Sequence, residues 1–318
     1  MTTKQFEQGV GLLMLAMGLS LTLDDFRNCL KQPVPILLGF VCQYSILPLL
    51  AFTISRLMSL PPSVACGMII LGSCPGGQAS NVATFVAYGN VSLSVLMTTV
   101  STMGAAVMTP LLSSVLAGRY VPIDGVGLAV STVQLVLVPT VAGLLLNEFA
   151  RKQVDVVRPF MPFVALFLTV VLCAVPVGID WLILGRPSID AAWTLRDARA
   201  RALALTRATR SFVRQVAQVQ PVLAVNGAGV VLPVVLLHGF GYLLGYVLPK
   251  VLKMSEKTSR TVSIETGMQS AALAYGLSVK HFASDVMVAV PASVSIVIMV
   301  WMGAGLAAFW RSRGPLSE

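Results

Sequence analysis

SIETGMQSAALAYG, residues 263–276, interrupts an otherwise apolar segment with a carboxylate, Glu265, and four residues later an amide, Gln269. Between them Thr266, Gly267 and Met268 form a weak point for a helix, because an interior glycine costs about 1 kcal/mol relative to alanine. An acid within greasy helix is expensive in a bilayer and marks a functional position. A second break lies far upstream in SCPGGQASN, residues 73–81, where Pro75 removes a backbone donor and Gly76 and Gly77 loosen the turn. Two broken helices, one in each half of an apolar chain, predict an all-α polytopic membrane protein with its site between the breaks, as in secondary transporters.

Composition agrees with that class. Of 318 residues, 56% are hydrophobic and 11% charged, where a soluble domain carries about 25% charged residues. The cysteines at 29, 42, 66, 74 and 173 form no C-x-x-C pair and read as small buried hydrophobes rather than metal or redox groups. The net charge of +9 does not imply nucleic acid, because the basic residues fall between apolar runs, where they suit lipid headgroups and topology. The partner expected is the lipid bilayer. Residues 1–8 are too short for a cleavable signal, so the first apolar run is expected to remain as a span.

A span needs about 20 mostly apolar residues. Nine fit, at about 6–22, 34–55, 63–88, 91–117, 123–147, 159–179, 222–248, 258–280 and 286–310. The third is broken near 75–80 and the eighth near 266–270. Every Lys and Arg then sorts into a loop, and alternating sides give 11 against 11. Seven of the first group belong to one long loop, which weighs little in the positive-inside count. Without it the score is 4 against 11, which places the C-terminus inside and the N-terminus outside.

That loop, 181–221, contains RDARARALALTRATRSFVRQVAQV. Leu195, Ala202, Leu205, Phe212, Val216 and Val219 follow helical spacing, with the arginines mainly elsewhere on the wheel. A basic amphipathic helix on the membrane surface and an insertion with incidental periodicity both stand open.

Each break precedes a Ser/Val-rich helix with a VS step: GNVSLSVLMTTVSTMGAAVMTP after the first, FASDVMVAVPASVSIVIMV after the second. This predicts an internal duplication, with residues 1–180 holding the first repeat and the start of the second, 181–221 an insertion, and 222–318 the remainder, in one transporter domain.

A sodium ion takes oxygens from carboxylate, hydroxyl, amide and unwound carbonyl groups. Ser80 and Asn81 follow the Pro-Gly-Gly break, and Ser94 and Thr98 are four apart on one helix face. With Glu265 these five could form one cation cage. Gln43 and Gln269 could close a second with Glu265 and the carbonyls of Thr266 and Met268. Taken singly, a hydroxyl within a span more often bonds to its own preceding turn, and a buried amide often only bridges helices. His238, in LLHGFGYLLGY, reads as a helix-bridging residue rather than a proton relay.

The stretches GSCPGGQASNVATFVAYGNVSLSVLMTTVST and IETGMQSAALAYGLSVKHF resemble the bile acid:sodium symporter family, and the resemblance spans nearly the whole chain apart from 181–221. It implies a first sodium site at Ser80, Asn81, Ser94, Thr98 and Glu265, and a second at Gln43, Glu265, Thr266, Met268 and Gln269. It also implies inverted repeats with two crossing discontinuous helices, a core domain of spans 2, 3, 4, 7, 8 and 9, and a panel domain of spans 1, 5 and 6. Ser270 stands where bile acid carriers of the family usually have Asn, and Gln78 where bacterial relatives often have Thr. Both border the substrate cavity in the family and are candidate contacts for a carboxylate, with the half-helix N-termini after the breaks. The ETGMQS motif and the KHF…VAVP…FWR ending look more like the plastid branch, which carries pyruvate and other small organic acids.

The expected function is therefore sodium-coupled symport of an organic anion by alternating access. Two sodium ions would move with one small carboxylate, such as pyruvate or another 2-oxo acid, or with a bile-acid-like anion. The expected membrane is the plasma membrane or the plastid envelope. No cofactor is expected beyond the co-transported sodium. An enzyme is disfavoured, because one deep acid and two histidines in different regions assemble no nucleophile–base pair. The alternative is a non-transporting membrane sensor or scaffold that uses the basic 181–221 loop.

Overall fold

The computed structural model describes residues 3–22, 24, 27, 33–151, 153, 154, 164 and 220–314. These form helices α1 (Thr3–Ser20), α2 (Pro33–Leu57), α3 (Pro62–Gly72), α4 (Ala79–Val86), α5 (Val91–Leu116), α6 (Gly125–Thr132), α7 (Val138–Phe149), α8 (Gln220–Val251), α9 (Glu256–Gly267), α10 (Ala271–His281) and α11 (Val290–Ser312). The protein is an all-α polytopic membrane protein. Among the described residues five stretches are long and apolar enough to cross a bilayer: 33–57, 91–119, 125–149, 229–251 and 290–312. Large apolar side chains such as Leu37, Val107, Phe149 and Trp301 point outward, which suits lipid and would be unfavourable in water.

Local chemistry sets the ends of the helices. Asn90 caps α5 by accepting from the Leu93 N–H at 3.0 Å, and Asp124 caps α6 by accepting from the Gly127 N–H at 2.9 Å. Ser255 caps α9 through the Thr258 N–H at 3.2 Å. The expected span at 123–147 is one path in two helices, joined by a π-helical turn at Val133–Leu137. Pro139 follows that turn and cannot donate to the carbonyl one turn back, which accounts for the widened ladder.

The third and eighth expected spans are each two half-helices, α3 with α4 and α9 with α10. Helix α3 is buried from Val64 to Gly72 among apolar neighbours, with Leu47, Met68, Leu71, Leu237 and Leu273 at the centre of the main cluster. Helix α9 is buried from Ser259 to Gly267 although it is rich in polar groups. Two glycines let α1 and α7 pack closely: a Cβ on Gly18 would stand 3.0 Å from the Gly143 Cα.

Arg260 corrects the sequence reading. It is not a loop cation but lies within α9, 3% exposed. Its Nε bonds to Glu256 at 2.9 Å, its Nη1 donates to the Ala87 carbonyl at 3.0 Å, and its guanidinium lies 5.6 Å from the Trp310 ring centroid. The sixth span expected at 159–179, except residue 164, and the insertion up to residue 219 lie outside the described residues.

Candidate functional site

The two breaks cross in antiparallel sense. Gly76 and Gln269 form an isolated β-bridge, the Gly77 N–H donates to the Met268 carbonyl at 2.9 Å, and the Ser270 N–H donates to the Pro75 carbonyl at 2.9 Å. Extended backbone deep in a membrane protein must find its hydrogen bonds within the protein. Here each unwound segment satisfies the other. The crossing needs glycine, because a Cβ on Gly77 would lie 2.5 Å from the Gln269 carbonyl oxygen.

Glu265, 1% exposed, points from the end of α9 to the start of α4 and the first turns of α5. Ser80 Oγ donates to its Oε2 at 2.6 Å and Ser94 Oγ to the same oxygen at 3.0 Å. Thr98 Oγ1 lies 2.5 Å from Glu265 Oε1 and 2.9 Å from the Ser94 carbonyl. A hydroxyl has one proton, so it cannot fully satisfy both acceptors. Asn81 Oδ1 is buried with no hydrogen-bond partner. The five residues expected to form the first cage thus lie on the three elements around one carboxylate.

The second group also assembles. Gln43 Nε2 donates to the Cys74 carbonyl at 2.9 Å and to Gln269 Oε1 at 2.8 Å, and Gln269 Nε2 donates to the Thr266 carbonyl at 3.1 Å. Because Gln43 faces two acceptors with its nitrogen, its Oε1 points away, and it is buried without a partner. Thr266 Oγ1 is buried and unpartnered as well. The Met268 carbonyl keeps one lone pair free of the Gly77 N–H. Both groups present oxygen, the donor that hard cations take.

Gln78 and Ser270 sit beside the crossing, each immediately before a half-helix. Gln78 Nε2 is buried without a partner. Gln78 also borders a cavity of about 370 Å³ between α1, α4 and α5, lined by Met17, Asn81, Phe85, Val95 and Thr98 among others. Asn81 and Thr98 therefore belong both to the Glu265 cluster and to this cavity wall. Ser270 lines a separate small cleft with Pro75, Gly76 and Gln78.

Several site residues were not read from the sequence. Ser101 Oγ accepts from the Gly76 N–H at 3.4 Å and donates to the Thr98 carbonyl at 3.0 Å. Tyr44 donates to the Ser101 carbonyl at 2.5 Å. Thr84 Oγ1 donates to Ser94 Oγ at 3.4 Å. The hydroxyl spacing Ser94, Thr98, Ser101 repeats on one helix face and was the available signal for Ser101. Nothing local marks Tyr44 or Thr84. Cys42, Cys66 and Cys74 are buried free thiols.

Comparison with known proteins places the chain as a whole. The Sodium Bile acid symporter family matches residues 8–185. The probable sodium/metabolite cotransporter BASS2, chloroplastic, of Oryza sativa subsp. japonica is 45% identical over 312 residues, 98% of this chain and 65% of the relative. The probable sodium/metabolite cotransporter BASS1, chloroplastic, of Arabidopsis thaliana is 40% identical, over 96% of this chain and 67% of the relative. An uncharacterized sodium-dependent transporter, YocS, of Bacillus subtilis (strain 168) is 34% identical, over 96% of this chain and 82% of its own length. The chain thus spans about two thirds of the length of the plastid relatives. By the family match over more than half its length and these identities, the chain belongs to the Sodium Bile acid symporter family.

Proposed function

We propose that the chain is a sodium-coupled symporter of a small organic anion. The observation that carries this reading is the convergence of Ser80, Ser94 and Thr98 on the Glu265 carboxylate, with the unpartnered Asn81 Oδ1 beside them at a cavity wall. The relatives' names, sodium/metabolite cotransporter and sodium-dependent transporter, point the same way.

In this reading two sodium ions bind on either side of Glu265. The first takes Ser80, Asn81, Ser94, Thr98 and Glu265. The second takes Gln43, Glu265 and Gln269 with the carbonyls of Thr266 and Met268. The shared carboxylate offsets part of the charge of both. Bound cations also cross-link α4, α5 and α9, so they order the walls of the anion cavity before the anion arrives. Helix α1, with the continuous span formed by α6 and α7, then rocks against the core helices to alternate access.

The anion binds in the cavity beside Gln78, whose amide nitrogen has no partner within the protein, while Ser270 and the start of α10 line the small cleft that Gln78 also borders. A cavity of about 370 Å³ is near the small end of the usual range for ligand pockets, about 300–1,000 Å³, which favours a small acid such as pyruvate or another 2-oxo acid over a steroid-sized anion. Two sodium ions with one monovalent anion carry net positive charge, so a membrane potential contributes about 2.3 kcal/mol per charge per 100 mV. The membrane proposed is the plastid envelope or the plasma membrane, with the C-terminus inside.

Counterflow in proteoliposomes, with pyruvate, pantoate, other 2-oxo acids and bile acids offered in turn, tests the substrate class. Exchange of a small carboxylate in sodium but not in potassium supports the reading. Exchange of bile acids alone overturns the assignment to small acids, and exchange indifferent to sodium overturns the coupling.

A further inference from the structure

His238, in the middle of α8, is fully buried, and both ring nitrogens are held. Nδ1 lies 2.8 Å from the Gly267 carbonyl, and Nε2 lies 2.8 Å from Ser295 Oγ on α11. A carbonyl only accepts, so the Nδ1 proton lies on the Gly267 bond. Gly267 ends α9. Its neighbours Thr266 and Met268 supply the carbonyls of the second cation group.

Tyr242, one turn further along α8, repeats the arrangement. Its ring covers Gly267, where a Cβ would run into the ring atoms, and its hydroxyl donates to the Met299 carbonyl at 2.7 Å. Ser295 and Met299 are themselves one turn apart on α11. His238 and Tyr242 thus make a ladder from α8 to α11, with Gly267 gripped on one side. The unwound carbonyls then divide by partner. Thr266 O takes Gln269 Nε2, Met268 O takes the Gly77 N–H, and Gly267 O takes the histidine. Among the described residues, His238 is the side chain that reaches this carbonyl fan from outside the two crossing segments.

We infer that His238 is a positioning residue for the second sodium ion. By holding the Gly267 carbonyl toward α8 it fixes the peptide planes on both sides, so that Thr266 O stays on Gln269 Nε2 and Met268 O on the Gly77 N–H. Tyr242 covers the glycine that would otherwise let these planes swing. The inference rests on the two-cage reading above, and it adds a residue that ligates nothing itself.

The test is equilibrium binding of radioactive sodium to the purified full-length chain. Wild type binds two ions. His238→Leu, which loses the donor, weakens half-saturation about tenfold, the effect of roughly one hydrogen bond, and binds one ion in the range where wild type binds two. His238→Asn, which keeps an N–H near the Nδ1 position, stays within about threefold of wild type on the same scale. Two ions bound at wild-type affinity in His238→Leu overturn the inference. Equal impairment of the Leu and Asn variants also overturns it, because the ring would then act by shape alone. If His238→Leu yields no folded protein, Ser295→Ala decides. It leaves the histidine but frees Nε2, and it should weaken sodium about threefold, with wild-type affinity counting against the inference. Glu265→Ala, run in parallel, should lose both ions. If it binds sodium as wild type does, the two-cage reading itself fails, whatever His238 does.

Discussion

Gly76 lies directly against the Glu265 carboxylate: a Cβ at position 76 would stand 3.2 Å from Glu265 Cδ and collide with Oε1. The upstream break therefore both unwinds a helix and leaves room for the acid of the downstream one. Gly76→Ala should push the carboxylate off its three hydroxyl partners. An overpacked site costs about 1–3 kcal/mol, so sodium half-saturation should rise about 5- to 150-fold. A sodium titration of binding checks this, and an unchanged midpoint would show that the acid relaxes freely.

Arg260 ties two of the three elements that carry the first cage, α9 and α4. It sits on α9 one turn and a half before Glu265 and donates to Ala87, the residue that ends α4. A cation suits the carbonyl end of a helix. Removing one partner of a buried ion pair costs about 3–5 kcal/mol, and Glu256 is 26% exposed and keeps Lys250 at 2.6 Å, so the lower end applies. Arg260→Ala should lower the melting temperature in detergent by several degrees, while Arg260→Lys, which keeps the charge but loses the fork, falls between. Equal melting of all three proteins would mean that the tie contributes nothing.

Much of this geometry was legible in the sequence, for a physical reason. Pro75, Gly76 and Gly77 cannot continue a buried helix, and Glu265 cannot lie idle in one, so both breaks and the acid announce themselves. Hydroxyls at helical spacing identify the face of α5 that meets them. Arg260 was misread because a positive charge near a helix start resembles a loop cation; only the fold supplies Glu256, Ala87 and Trp310 around it. Tyr44 and Thr84 carry no local signal, since their partners are remote in sequence or ordinary hydroxyls. The ladder through Tyr242 depends on how α8 lies on α11, which no spacing within α8 specifies.

Glu7 on α1 pairs with Lys280 on α10 at 3.1 Å, and His281 Nε2 lies 2.9 Å from Ser131 Oγ on α6. The cavity beside Gln78 is lined by Met17, Ser20 and Leu21 at the other end of α1, about 15–20 Å along the helix from Glu7. The Glu7–Lys280 pair therefore joins α1 to α10 at the end of α1 away from the cavity. Reversing either charge, Glu7→Lys or Lys280→Glu, should shift the balance of open states and change the transport rate. The double reversal should restore it, with a coupling of about 0.5–1 kcal/mol for a pair this exposed. Additive effects in the double-mutant cycle would show that the pair does not latch.

Sodium-driven accumulation in proteoliposomes tests the central claim most directly. An inward sodium gradient should concentrate at least one small carboxylate inside the vesicles above its external level, and an inside-negative potential should raise that accumulation. Replacing sodium by potassium, or Glu265 by Gln, which keeps the shape and removes the charge, should reduce uptake to the level of empty vesicles. Accumulation that persists in potassium, or in Glu265→Gln, would contradict the claim that this carboxylate binds the driving ion.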